Sequence, residues 1–159
     1  MDNYAQLLDM LRQQEEELQF RNFDNDTALR LGMRIVEVAR LGRKAITVDI
    51  VRNGQQLFHC ALPGTAPDND AWVRRKSNVV TRFGHSSYYM GTHYRARGTS
   101  FEEAARLDPD QYAAHGGAFP VIVKGVGVVG TVAVSGLPQA EDHDLLVGVL
   151  REFLRGEQD

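Results

Sequence analysis

A chain of 159 residues, 43% hydrophobic and 25% charged, is one domain in size, and that balance excludes wholesale disorder. No apolar run approaches the ~18 residues that span a bilayer, and a single cysteine excludes an intrachain disulfide framework or a Cys-cluster metal site. The net charge of −3 is unevenly spread: Trp72 to Gly98 contains no acid, yet carries Arg74, Arg75, Lys76, Arg82, Arg95 and Arg97.

At the N-terminus, MDNYAQLLDMLRQQEEELQF holds acids where a signal peptide needs a basic start and an unbroken apolar core, so a cytoplasmic protein is expected. Tyr4, Leu7, Leu8 and Leu11 recur at i, i+3, i+4 and i+7, which predicts an opening amphipathic helix. Its apolar stripe is expected to help the last helix bury the sheet and to contribute to a homo-oligomer interface. A second helix starts near Asp24 or Asp26 and ends before Gly42, with Ala28, Leu31, Ile35, Val38 and Ala39 as its core stripe.

Residues 44–62 read as a β-hairpin, because Asn53-Gly54 supplies the positive φ angles of a type I′ turn between AITVDIVR and QQLFHCAL. Strand alternation puts Cys60 on the face of Phe58 and Leu62, hence in the core, and His59 on the other face; the two cannot form a catalytic dyad. Helical signals follow over APDNDAWVRRKSNVVTRFG, from Ser86, and at Ser100 with Glu103. His85 and His93 are not spaced as an i, i+4 pair, so no metal site is expected. Two strands, near 119–124 and 127–135, turn around Gly125, and a last helix takes Pro138 in its first turn and buries Leu145, Leu146, Val149, Leu150 and Phe153. The order ααββ–helices–ββα predicts an α+β fold with an antiparallel sheet flanked by helices, because hairpin-linked strands pair antiparallel.

Three segments invite a ligand. On the third helix, Trp72, Val79, Val80 and Phe83 form an apolar stripe with Lys76 in its middle, where an ammonium is costly unless paired or snorkelling. Its amine is expected to meet a ligand carboxylate, or Asp142 when no ligand is bound. Arg75 on the adjoining flank adds a contact, and Arg74 faces away and is expected to be dispensable. His115 precedes Gly116 and Gly117, a pair that lets a backbone approach a ligand closely or turns tightly into a strand. Asp142 and His143 fall in the first turns of the last helix, where a carboxylate is also explained by capping and the helix dipole. The ligand-binding set is therefore Lys76, Arg75, His115, Gly116, Gly117 and Asp142. Lys76→Met is expected to keep the fold and lose the ligand.

WVRRKSNVV, HGGAFP and GVVGTVAVSGLPQAEDH together resemble the haem-degrading-domain superfamily of HbpS-like and GlcG-like proteins, closest to a cytosolic branch, from about Phe20 to Leu154. The resemblance implies a profilin-like fold and homo-oligomers; some relatives bind haem and are linked to its degradation, and others have no assigned activity. The expected ligand is haem or another anionic small molecule, with His115 as candidate axial ligand. The alternative is an oligomeric interaction scaffold, favoured by the lack of a complete triad, metal cluster or paired-carboxylate motif. The acidic total, with pI near 5.9, argues against nucleic acid, and no sequence feature names a reaction.

Overall fold

The computed structural model describes residues 2–158 and contains six helices and four strands among them. They run α1 (Asp2–Glu17), α2 (Asn25–Leu41), β1 (Thr47–Arg52), β2 (Gln55–Ala61), α3 (Pro67–Phe83), α4 (Ser87–Ala96), α5 (Phe101–Ala105), β3 (Ala118–Val123), β4 (Gly127–Ser135) and α6 (Gln139–Gln158). The predicted order holds, including the hairpin turn, where Asn53 and Gly54 have φ of 50° and 82°. Pro138 stands just before α6, and its carbonyl receives the N–H groups of Glu141 and Asp142. None of these helices is long and apolar enough to cross a membrane.

The strands pair antiparallel in the order β2-β1-β4-β3, so the two hairpins join through β1 and β4. Alternation sorts the side chains. Val48, Ile50, Val132, Val134, Phe119 and Val121 point to one face, which α2 and α6 cover with Leu31, Ile35, Leu146 and Leu150. The other face presents the smaller or polar Asp49, Thr131 and Ala133, and α3 crosses it through Val73 and Val80.

Two expectations are corrected. The opening helix does not cover the sheet. With α2 and α6 already on the apolar face, α1 packs on α4, where Leu11 joins Val79, Tyr89, Met90 and Phe101. Only past its end does the chain reach the sheet: Leu18 and Phe20 are in the main core, and Phe20 brackets β3 by donating its N–H to Ile122 O and accepting from Lys124 N. Cys60 is not core either. On the edge strand β2, Phe58, Cys60 and Leu62 are each half-buried, because α2 covers that edge incompletely. Val38, Leu145 and Phe153 are likewise half-buried.

Both hairpins carry a β-bulge. Ile50 pairs with Phe58 and Val51 with Gln56, which leaves Leu57 without a partner. In the second hairpin Val129 is the extra residue. Such bulges bend a strand and re-aim side chains.

Candidate functional site

Lys76 is 2% exposed, held there by the apolar stripe of α3. Its ammonium donates to Val134 O at 2.5 Å and Gly116 O at 3.0 Å, with Asp142 Oδ2 at 3.4 Å. An ammonium has three N–H donors, so all three end on the protein. Burial pushes the Lys76 amine below its ordinary value, and Asp142 opposes that shift. Burial likewise raises the Asp142 carboxyl, against the pull of Lys76 and of the Leu137 and Gly136 N–H groups at 3.0 and 3.4 Å. Asp142 therefore closes the turn before α6 and neutralises the lysine at once. The amine forms the floor of a pocket rather than an open hook.

That pocket, about 290 Å³, is walled by Trp72 of α3, the His115–Gly116 loop, Ser135 at the end of β4, Leu137 beyond it, and Gln139 and Asp142 of α6. Gly116 and Gly117 provide close approach, but to the protein's own groups. A Cβ on Gly117, at φ 129°, would collide with Lys76 Nζ, and one on Gly116 with the Gln139 carbonyl. Gly116 N–H also donates to Gln139 Oε1 at 3.1 Å.

At the rim, Arg75 lies 4.1 Å over the Trp72 ring, and His115 meets the same ring edge-on at 5.2 Å. His115 is exposed, but shielding on the tryptophan side holds its imidazole below the ordinary histidine range. Glu102 opposes that shift, whereas Arg95, Lys76 and Arg75 reinforce it. A neutral imidazole keeps a lone pair for a metal-centred ligand. The rim and floor together bring all six expected residues to one place.

Two features escaped the sequence reading. His143 is fully buried: its Nε2 lies 2.8 Å from Gln14 Oε1 of α1, Tyr88 packs against the ring, and burial pushes it down to about 4. The second is a cleft of about 840 Å³ on the opposite flank of α3. Arg74 does turn away from Lys76, and the surface it turns to is this cleft. Two signals were present, namely Asp49 inside the apolar run ITVDIV and the polar spacing Asp70, Arg74, Ser77, Asn78, Thr81 along the helix. Among the described residues no three His, Cys, Asp or Glu side chains converge as a metal site.

The family model for the haem degrading protein HbpS-like family matches residues 23–151. A UPF0303 protein of Streptomyces coelicolor is 60% identical over 144 residues, 91% of either chain. Among solved structures, Ybr137w superposes with a TM-score of 0.87 at 33% identity, over 96% of this chain and 90% of that one. A PduOC–heme complex superposes with a TM-score of 0.66 at 15% identity, over 84% and 94%, a likeness of fold alone.

Proposed function

Since the chain belongs to the HbpS-like haem-degrading family, we propose that it is a small-ligand-binding domain whose ligand, haem or another anionic small molecule, docks at the Arg75–Trp72–His115 rim. The observation that carries this reading is one aromatic ring with a guanidinium over its face and the His115 imidazole against its edge, at the mouth of the Lys76–Asp142 pocket. Arg75 offers a forked guanidinium to a carboxylate, and Trp72 offers apolar surface to a flat ligand. Lys76 supports the loop that carries His115 and, paired with Asp142 when no ligand is bound, floors the pocket where a ligand carboxylate would meet it.

At about 290 Å³ the pocket stands at the low end of ligand cavities, which run about 300–1,000 Å³. It suits a small carboxylate fully. A haem fits only with its macrocycle across the open rim, where His115 would hold the iron and Arg75 a propionate. Haem would bring iron-centred oxygen or electron chemistry to that surface.

Titration with haemin and with iron-free protoporphyrin IX tests this. His115→Ala is expected to abolish the haemin Soret shift and leave protoporphyrin binding unchanged, whereas Arg75→Ala weakens both several-fold. A Soret shift that survives both substitutions, or none in the parent, removes haem from the rim.

A second reading, a homo-oligomeric interaction scaffold, is favoured by the open groove between α2 and the edge strand β2. Met33, Leu41, Phe58 and Cys60 line that groove, and Met33 and Leu41 are 59% and 78% exposed.

A further inference from the structure

We propose that the cleft between α3 and the polar face of the sheet is a second binding site, for a small molecule carrying a protonated amine and a carboxylate. Asp49 and Asp70 receive the amine, and Arg74 the carboxylate. This site is separate from the rim at Trp72 and stands independently of it.

An amphipathic helix ordinarily turns its polar stripe to water. Here the stripe Asp70, Arg74, Ser77 lines an 840 Å³ space whose opposite wall is the sheet, with Asp49 7% and Thr131 3% exposed. The first bulge shapes that wall. Gln56 and His59 are three residues apart and would face opposite ways on a regular strand. Leu57 is the unpaired bulge residue, so both reach the same carboxylate, Gln56 Nε2 at 2.6 Å and His59 Nδ1 at 3.1 Å from Asp49 Oδ1. Gly130 closes the wall from β4, since a Cβ there would collide with Val51 O.

The hydrogen-bond inventory identifies the ligand. Both fixed donors use Oδ1 of Asp49, so its Oδ2 has no hydrogen bond among the described residues, although the side chain is only 10% exposed. Asp70 Oδ1 is buried and 3.1 Å from His59 Nε2, but off the hydrogen-bond line, and it too is unsatisfied. Ser77 Oγ is buried without a partner. The buried atoms left unmade, Asp70 Oδ1 and Ser77 Oγ, are costly, and with Asp49 Oδ2 open to the cleft they call for a donor-rich guest. An alkylammonium brings three N–H groups and the charge that two carboxylates want, and no lysine or arginine pairs with either aspartate among the described residues. Val51, Val73 and Val128 give an apolar wall for its carbon chain. Arg74, at the exposed rim one turn from Asp70, pairs with no carboxylate among the described residues, which suits the other end of a zwitterion.

Ligand-observed NMR titration of the full chain with hexylamine, 6-aminohexanoate and hexanoate separates the parts. Both amines are expected to bind and hexanoate not. Asp49→Asn and Asp70→Asn each weaken both amines about tenfold. Arg74→Ala weakens 6-aminohexanoate alone, and His115→Ala changes none of the three. Asp70 is partly exposed, so its variant keeps the test valid if Asp49→Asn fails to fold. Equal binding of hexanoate and hexylamine, no binding of either amine, or full amine affinity in Asp70→Asn overturns the proposal.

Discussion

His143 shows how one buried side chain couples the fold to pH. Its ring is neutral in the folded protein because burial lowers it from 6.5 to about 4. Below pH 6.5 the unfolded chain takes up a proton that the folded chain refuses, so stability falls as pH drops from about 6.5 towards 4, then levels off. The loss reaches about 3 kcal/mol. His85 works in the opposite sense: its Glu15 contact raises it, so its contribution is present at low pH and fades as pH rises through the raised value. Thermal unfolding of the parent and of His143→Gln between pH 7.5 and 4.5 checks this. The parent is expected to lose stability more steeply, and parallel slopes would assign the acid sensitivity elsewhere. The sequence placed His143 beside Asp142 at a helix start, but its burial depends on Gln14, 129 positions away, which no local pattern records.

Among the elements, Lys76 acts as a clamp. It joins α3 to β4 through the Val134 carbonyl, to the HGG loop through Gly116, and to α6 through Asp142. Lys76→Met keeps the stem volume but takes the ammonium from two carbonyls and leaves Asp142, 2% exposed, without its counter-charge. The variant is expected to stay folded but to lose about 3 kcal/mol in urea unfolding. Asp142→Asn in the same background should recover part of that loss, because no uncompensated charge remains. The helical period made Lys76 legible as a core-facing cation, and capping residues made most helix ends legible. The bulge at Leu57 was not legible, because strict alternation is the only strand rule a single sequence supplies. Without the bulge, Gln56 could not be seen to join His59 on Asp49, nor the larger cleft to exist. The destination of α1 was hidden for a similar reason: an apolar stripe says that something is covered and not what.

For the whole molecule, the α+β class and the order of elements followed from hairpin turns and helix periods, whereas the sheet order rests on long-range pairing. Leu29, Met33 and Leu41 leave the outer side of α2 unusually apolar beside the unpaired edge of β2. A homo-oligomer using this face is expected to sediment above monomer mass at micromolar concentration, and Met33→Glu with Leu41→Lys to shift it towards monomer. A parent that sediments as a monomer throughout that range would leave the groove without a second copy.

The pairing of β1 with β4 also sets a schedule for folding. Thr47 meets Ser135 across the whole α3–α5 insertion, so the centre of the sheet joins segments made far apart in synthesis. The first hairpin and α2 are complete long before their partners emerge, and their apolar face must wait exposed. Closing so distant a contact is slow, because chain entropy is lost before any non-local contact repays it. Refolding should therefore show a late phase, in which both hairpins zip together and Lys76 finds its carbonyls.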